Sequence, residues 1–310
     1  MNAKKEKSEW IGQKAHELGF IAVGYAKAEF MEEEADRLKE WLGLEYHGKM
    51  THLEDHFEKR TDPTKLVHGA KTVISFAYNY NTIIRQKDPE APKISQYAFG
   101  RDYHKVVKKK LKILAAAIKE RYGEFSNKYF VDSAPILERD WAKRSGIGWI
   151  GKNTLLINPK IGSFFFLAEM IVDFELDYGT PISDYCGSCT KCIDACPTDA
   201  IAEDGYVMDG SQCISYITIE LKNQPIPEEF KGKMDNWMYG CDICQDVCPW
   251  NRFSSEHKEP DFLPHDKIMS MTKEEWSELT QEEYDEIFFG TPVKRAGYEG
   301  LKRNIEFLEG

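Results

Sequence analysis

The most informative segment of this chain is Cys186-Gly-Ser-Cys189-Thr-Lys-Cys192-Ile-Asp-Ala-Cys196-Pro197. Its spacing, C-x2-C-x2-C-x3-C-P, is that of a bacterial ferredoxin motif, in which three thiolates of one loop bind one [4Fe–4S] cluster and the fourth binds a second cluster. A shorter copy follows as Cys241-Asp-Ile-Cys244-Gln-Asp-Val-Cys248-Pro249, with Met238 standing where the first cysteine would fall. Cys213 is the one cysteine outside both motifs, and it can fill the vacant ligand position.

The motif predicts that each cluster takes ligands from both copies. The first set is Cys186, Cys189, Cys192 and Cys248, and the second set is Cys196, Cys213, Cys241 and Cys244. Zinc is the alternative, because C-x2-C pairs also suit a tetrahedral zinc ion. The triplet spacing and the two Cys-Pro endings favour two iron–sulfur clusters, which pass single electrons.

The remaining composition restricts the class of protein. All eight cysteines of the 310 residues lie between 186 and 248, and clustering in a chain without an evident signal peptide indicates metal binding rather than disulfides. No apolar run approaches the roughly 20 residues that a membrane helix needs, so we expect a cytoplasmic protein with no membrane partner. The net charge of −11 argues against non-specific polyanion binding, although a local basic face can still hold a nucleic acid.

Helical and strand patterns alternate before the cysteines. They predict helices over 4–19, 32–42, 104–122 and 141–144, and strands over 20–23, 72–78, 128–131 and 164–174. The longest apolar run, Phe164 to Val172, is interrupted by Glu169. Two short helices are predicted after the cysteines, over 273–278 and 281–287. The alternation predicts an α/β or α+β sheet domain, and because no heptad seam calls for a dimer, we expect a monomer.

Motifs along nearly the whole chain resemble those of the epoxyqueuosine reductases, cobalamin-dependent iron–sulfur enzymes of tRNA modification. Besides the cysteine motifs they comprise, in the family's order, Glu58-Lys59-Arg60-Thr61-Asp62-Pro63, Gly100-Arg101-Asp102-Tyr103-His104, Val131-Asp132-Ser133-Ala134-Pro135, Gly146-Ile147-Gly148-Trp149-Ile150-Gly151-Lys152-Asn153-Thr154 and Cys213-Ile214-Ser215-Tyr216. The resemblance implies that the epoxide of epoxyqueuosine, at the tRNA wobble position, is reduced to the alkene of queuosine. This is the last step of queuosine biosynthesis, and it would use base-off cobalamin supplied with electrons by the two [4Fe–4S] clusters.

The resemblance also implies an α+β architecture in three parts. Residues 1–176 would form a nitroreductase-like α/β domain that binds cobalamin and substrate. Residues 177–256 would form the ferredoxin-like domain with both clusters, and residues 257–310 a short helical C-terminal segment. The implied partners are a tRNA anticodon stem-loop carrying epoxyqueuosine and an electron donor such as flavodoxin or ferredoxin.

Two candidate catalytic residues come from this resemblance. Asp132 matches the proposed proton donor, which also contacts cobalamin, and Tyr103 lies near the substrate. Loss of the epoxide oxygen as water requires an acid, and a carboxyl group can serve. From the residues alone, a carboxylate at a strand end is more often a helix cap or a turn former than a catalytic group. The resemblance places five further residues in the cobalamin site: Arg60, Ser95, Asn153, Ser163 and Ser215.

The helix predicted over 104–122 is strongly basic. Its lysines, which form either a solvated face or a phosphate-contacting face for tRNA, are Lys105, Lys108, Lys109, Lys110, Lys112 and Lys119. Two other functions remain open on the residues: a cytoplasmic reductive dehalogenase, and a non-enzymatic ferredoxin-type electron-transfer protein. The basic helix counts against the first, and the long segment before the cysteines counts against the second.

Overall fold

The computed structural model describes residues 3–310, which form a mixed set of helices and strands. The strands are β1 (Ala22–Lys27), β2 (Thr72–Asn79), β3 (Lys93–Ile94), β4 (Asn127–Phe130), β5 (Trp149–Ile150), β6 (Leu156–Ile157), β7 (Phe165–Val172) and β8 (Trp237–Tyr239). The helices are α1 (Ala3–Glu17), α2 (Glu32–Gly43), α3 (Phe57–Thr61), α4 (Tyr103–Tyr122), α5 (Glu138–Arg144), α6 (Lys191–Asp194), α7 (Ile214–Ile219), α8 (Ile243–Asp246), α9 (Asp266–Ser270), α10 (Lys273–Ser277), α11 (Gln281–Ile287) and α12 (Gly297–Glu309).

The centre of the molecule is an antiparallel sheet with strand order β1-β2-β7-β4. Because successive side chains of a strand point to opposite faces, Ile74 and Phe76 of β2 pack towards α1 and α4, whereas Val73 packs in the cluster that contains Trp141 of α5. The same alternation in β7 places Met170 on the α4 side and Glu169 on the α5 side. Helices therefore cover both faces of the sheet, which explains why its two central strands are almost wholly buried.

Helix α4 begins at Tyr103, one residue before its predicted start. Asp102 is its N-cap, since the carboxylate accepts a hydrogen bond from the backbone N–H of His104 at 3.0 Å. The helix ends at Gly123, whose positive φ of 87° stops it. Its first turn thus holds Tyr103 between the ring of His104 and the ring of Phe166 of β7.

The cysteine-containing region packs on this sheet domain. The short helices α6 and α8, one from each cysteine motif, contact each other. Strand β8 pairs with β3 of the preceding region. Helix α12 covers β8 and α7, and Asn304 fastens it by donating to the carbonyl oxygens of Thr218 and Met238 at 2.9 and 2.8 Å. Within residues 3–310, none of the helices has the length and apolar character needed to cross a bilayer.

The α+β class is confirmed, and the predicted helices and strands are found with shifted ends. The largest shift is in β1, predicted over 20–23 and observed at Ala22–Lys27. Phe20 lies before the strand, and its ring packs on Phe76 with ring centroids 4.9 Å apart. Its apolar character reflects this core contact and not strand pairing.

Candidate active site and iron–sulfur region

The eight cysteines are all free thiols, and they form two groups. Those of the first set line one cavity of about 60 Å³, together with Lys152, Lys191 and Trp250. The indole Nε1 of Trp149 donates to the Cys186 sulfur at 3.4 Å. This group joins three cysteines of the first motif to Cys248 of the second, which is the crossed arrangement that the spacing predicts.

The second group lies deeper. Burial raises the pKa of the Cys244 thiol well above its ordinary value, and neighbouring Cys213 and Cys241 raise it further. Burial likewise raises the pKa of Cys213, with an added contribution from Cys196. Buried thiols that oppose one another's ionisation need a bound cation to become thiolates, so the chemistry of this donor set fits an iron centre.

Both groups contact the sheet domain, and the first group also lies beside exposed aromatic residues. The Asn153 amide donates to the carbonyl oxygen of Cys244 at 3.1 Å. Beside the first group, Tyr185 is 52% exposed and Phe253 is 43% exposed. The Trp250 ring lies between them, with its centroid 5.9 Å from that of Tyr185 and 6.0 Å from that of Phe253. We call the first set the outer group and the second set the inner group.

Asp132 and Tyr103 meet, as the resemblance implies for a shared site. The Tyr103 hydroxyl donates to Asp132 Oδ2 at 2.5 Å. The Tyr103 ring stacks on Phe166 at 4.0 Å and on His104 at 4.1 Å, and burial, followed by the Asp132 charge, raises the pKa of Tyr103 well above its ordinary value. Tyr103 therefore stays a hydrogen-bond donor at any working pH, while the Asp132 carboxylate itself is 65% exposed.

His104 completes this cluster. Its Nδ1 lies 2.7 Å from Asp102 and its Nε2 lies 3.8 Å from Asp132. Burial opposes its charge, but the hydrogen bond to Asp102 and the two carboxylates outweigh burial and raise its pKa. The cluster can therefore hold a proton on His104 next to the exposed carboxylate of Asp132.

Rings connect this cluster to the inner group. Tyr97 lies 6.0 Å from Tyr103 and 6.3 Å from Tyr239, measured between ring centroids. Tyr239 is two residues before Cys241. A series of aromatic rings thus connects the polar cluster to the segment that carries Cys241.

A pair of acids lies behind Asp132, one partly exposed and one buried, and neither is among the predicted site residues. Glu138 accepts a hydrogen bond from the backbone N–H of Asp132 at 2.7 Å, and the fully buried Glu169 faces Glu138 from β7. Burial, followed by the Asp132 charge, raises the pKa of Glu138 to about 8. The available signal was Glu169 itself, which interrupts the longest apolar run.

Of the five residues assigned to cobalamin by resemblance, three link the sheet domain to the cysteine region, Ser215 lies in the cysteine region, and Arg60 lies in α3. Three of them already have protein partners: Ser95 donates to Asp242, Asn153 to Cys244, and Ser163 to the Asn251 amide oxygen at 3.2 Å. Arg60 is 8% exposed, and its Nε has no partner among residues 3–310. Ser215 lies beside Cys213, towards which its backbone N–H points.

Four lysines of α4 are exposed and make no ion pair within the described chain. They are Lys105, Lys108, Lys109 and Lys112. Lys110 instead pairs with Glu259 at 3.1 Å, and Lys119 pairs with Glu124 at 2.7 Å. The unpaired set begins in the same helical turn as His104, so it extends directly from the candidate active site.

Two family models match the chain. Residues 60–133 match the model described as "Epoxyqueuosine reductase QueG, DUF1730", and residues 185–251 match the "4Fe-4S double cluster binding domain". An epoxyqueuosine reductase of Cellulophaga algicola is 54% identical over 309 residues, covering 100% of both chains, and that of Cyclobacterium marinum is 51% identical over 311 residues, covering 100% of this chain and 99% of its own.

Solved structures agree. A selenomethionine-labelled epoxyqueuosine reductase superposes with a TM-score of 0.90 at 30% identity, covering 98% of this chain and 81% of its own. A second epoxyqueuosine reductase, crystallised with a tRNA-Tyr epoxyqueuosine-modified stem loop, gives 0.86 at 31% identity, covering 98% and 80%. A Bacillus subtilis epoxyqueuosine reductase, whose catalytic aspartate loop is swung out of the active site, gives 0.85 at 30%, covering 98% and 81%. A catabolic reductive dehalogenase, at 17% identity and a TM-score of 0.54 (98% of this chain, 38% of its own), shares the fold alone.

Fold, site and comparisons together define a two-cluster iron–sulfur protein whose sheet domain presents an acid–tyrosine–histidine cluster. Its cysteine region is a double [4Fe–4S] cluster domain, which excludes the zinc alternative. The chain belongs to the epoxyqueuosine reductase family.

Proposed function

We propose that this protein reduces epoxyqueuosine to queuosine in tRNA. The observation that carries the proposal is the hydrogen bond from Tyr103 to the exposed Asp132 carboxylate, which Tyr97 and Tyr239 connect to the inner cysteines. Conversion of the epoxide to the alkene breaks two C–O bonds, consumes two electrons and two protons, and releases water. The site supplies both requirements, since it holds acids next to an electron-transfer domain.

Each cysteine group binds one [4Fe–4S] cluster in this proposal. The outer group would accept electrons and the inner group would deliver them, because the inner group lies beside Tyr239, whose ring approaches Tyr97 and through it Tyr103 and Asp132. The functional role of Asp132 is to protonate the departing epoxide oxygen, and that of Tyr103 is to orient the Asp132 carboxyl group. Their hydrogen bond supports the positioning role of Tyr103, and the acid role of Asp132 rests on the resemblance to the family and on the need for an acid in the reaction.

Base-off cobalamin would lie between the inner group and the cluster of Asp132 and Tyr103. Arg60 offers a buried donor without a protein partner, and cobalamin carries phosphate and amide acceptors that such a donor can bind. Ser215 offers a second polar group, while Ser95, Asn153 and Ser163 would hold the cysteine region against the sheet domain. When bound, the corrin would supply cobalt that transfers electrons to a substrate ring carbon.

The tRNA anticodon stem-loop would lie along α4. Lys105 and Lys112 are seven residues apart, so the exposed lysine face extends about 10 Å at a rise of about 1.5 Å per residue. It begins one residue after His104, whose Nε2 lies 3.8 Å from Asp132, and phosphate contacts there would leave the modified base over the acid. Positive side chains without internal partners are free to displace counterions from RNA.

The electron donor would be a small acidic carrier such as flavodoxin or ferredoxin. The exposed rings of Tyr185 and Phe253 lie beside the outer group, with Arg252 over the Phe253 ring at 4.5 Å and Lys191 at the cavity. Aromatic and basic residues together favour transient docking of an acidic surface. The variant R252E should slow cluster reduction by the protein donor and leave reduction by dithionite unchanged; equal slowing of both would contradict this docking surface.

The deciding experiment uses protein purified without air, with iron and sulfide restored and cobalamin added. A stem-loop RNA containing epoxyqueuosine should lose one oxygen atom, as measured by mass spectrometry of its nucleosides. Asp132→Asn should retain iron and cobalt but lower turnover by about 10²- to 10⁴-fold. Asp173→Asn is the matched control, since Asp173 lies beyond the opposite end of the β4–β7 pair and binds the backbone of Ser126. Unchanged turnover in Asp132→Asn would remove the role assigned to that residue.

A further inference from the structure

Glu138, which is partly exposed, and Glu169, which is buried, face each other behind Asp132, and neither has a role in the proposed reaction. Glu169 is fully buried in the central strand β7, and neither of its carboxyl oxygens accepts a hydrogen bond from an N–H or O–H donor of residues 3–310. The group that faces it is another carboxyl, that of Glu138. Two carboxyl groups attract each other only when at least one carries a proton.

Burial makes this proton obligatory. An unpaired carboxylate inside a protein is strongly unfavourable, so a carboxyl without basic partners takes up a proton instead. Burial, followed by the Glu138 charge, raises the pKa of Glu169 well above its ordinary value. The pair therefore retains at least one proton at neutral pH.

The charged groups around the pair do not neutralise the negative charge that its ionisation would create. Asp132 adds negative charge and raises the pKa of Glu138, whereas His104, on α4, is positively charged and lowers it. Tyr103 is the remaining titratable neighbour, and it stays protonated. On α5 itself, Arg139 donates to the carbonyl oxygen of Thr154, and Asp140 pairs with Arg37 at 3.3 Å.

Glu138 also contacts the backbone of the acid that the reaction uses. Asp132 has a positive φ of 47°, and its backbone N–H is held by Glu138 Oε1 at 2.7 Å. The three acids thus lie in the order Glu169 in the core strand β7, Glu138 at the start of α5, and Asp132 in the open site. Elimination of water from the epoxide consumes two protons, whereas Asp132 carries only one.

We propose that Glu138 and Glu169 form a proton reserve that reloads Asp132 during turnover, so that both act as positioning and proton-supplying residues behind the catalytic acid. This inference rests on the proposed function. Asp132 gives its proton to the epoxide oxygen as the first C–O bond breaks, and the pair returns a proton to Asp132. The second C–O bond then breaks, the oxygen leaves as water with that proton, and the two electrons come from a low-potential one-electron donor through the clusters. The reserve matters because bound RNA covers Asp132, which is otherwise open to solvent.

The substitution Glu138→Gln separates proton storage from loop positioning. Its amide oxygen still accepts the Asp132 N–H, but the side chain no longer stores a proton. Glu169→Gln is the second variant, and Asp140→Asn, on the same helix, is the matched control. All are checked for full iron content, so that a folding defect is recognised.

Infrared difference spectroscopy provides a readout that does not depend on activity. The cluster-loaded wild-type protein should show the C=O band of a buried protonated carboxyl at neutral pH, shifted in D2O. The band should be lost in Glu169→Gln, perturbed in Glu138→Gln and retained in Asp140→Asn. A wild-type spectrum without this band, or a band that both glutamate variants retain, would overturn the reserve.

The pH profile provides the second readout. Wild-type kcat on the epoxyqueuosine stem loop should fall as pH rises past about 8, where Glu138 ionises. In Glu138→Gln this alkaline limb should disappear, and kcat should fall by about tenfold or more below it. Wild-type turnover with an alkaline limb that Glu138→Gln keeps would refute the reserve, whereas absence of wild-type turnover would refute the proposed function instead.

Discussion

The hydroxyl of Tyr103 offers the most specific test of the site. Tyr103→Phe removes one oxygen atom and keeps the ring, which is stacked 4.0 Å from Phe166 and 4.1 Å from His104. The core contacts therefore persist, and the change is confined to the 2.5 Å hydrogen bond to Asp132. We expect a lower rate of reduction with little loss of stability.

The size of the effect follows from the exposure of the partner. A hydrogen bond to a charged group contributes about 1.5–3 kcal/mol, but water can replace the hydroxyl at a carboxylate that is 65% exposed. We therefore expect the lower end, about 1–1.5 kcal/mol, which corresponds to a decrease of roughly fivefold to tenfold in rate. Single-turnover reduction of the epoxyqueuosine stem loop, started by adding reductant, measures this rate directly.

Two controls make the result interpretable. Tyr122→Phe removes a hydroxyl from the same helix that has no hydrogen-bond partner among the described residues, so its rate should equal that of the wild type. In the double variant with Asp132→Asn, removal of the Tyr103 hydroxyl should have little further effect, because the two groups act through one contact. A wild-type rate in Tyr103→Phe, or fully additive effects in the double variant, would refute the positioning role.

Three other substitutions test the clusters, the RNA face and the acid pair. Cys213→Ser should lower iron from about eight to about four atoms per chain, since only the inner cluster loses a ligand. Replacing Lys108, Lys109 and Lys112 by alanine should weaken RNA binding and reduce the slope of log affinity against log salt by about two units. Lys119 pairs with Glu124, so Lys119→Ala should change neither the affinity nor the slope. The pKa of Glu138 rises from an ordinary 4.5 to about 8 on folding. Between these pH values the folded state binds more protons than the unfolded state, so the free energy of unfolding falls as pH rises. The Tm of the wild type should therefore fall more between pH 6 and pH 9 than that of Glu138→Gln.

Local patterns in the sequence were sufficient to predict the cysteine groups and helix α4. The spacing of the two cysteine motifs is itself a geometric constraint, because a loop of that length presents its thiolates to one cluster and its last cysteine to the next. Likewise Asp102, Gly123 and the apolar residues at helical spacing determine where α4 begins and ends. These features depend on neighbours within a few residues.

The acid pair and the serine contacts depend on tertiary structure. Glu138 and Glu169 belong to different elements, and they meet only because the alternation of β7 directs Glu169 towards α5. Ser95 and Ser163 resemble ordinary loop residues in the sequence, and their partners Asp242 and Asn251 lie far along the chain. Local propensity contains no information about such pairings, which explains why these residues could be assigned only by resemblance.

The site keeps its proton-carrying groups and its electron-carrying groups on separate structural elements. Asp132, Glu138 and Glu169 are positioned by β4, α5 and β7, whereas the cysteines belong to loops and short helices beyond residue 185. The two sets approach each other across Tyr97 and Tyr103. Because burial raises the pKa of both tyrosines well above the ordinary value, this contact region stays neutral and keeps the inner thiolates apart from the acids. Substitutions of the acids should consequently leave iron content unchanged, and Cys213→Ser should leave the carboxyl infrared band in place; loss of the band in that variant would show that the cysteine region itself determines protonation of the acids.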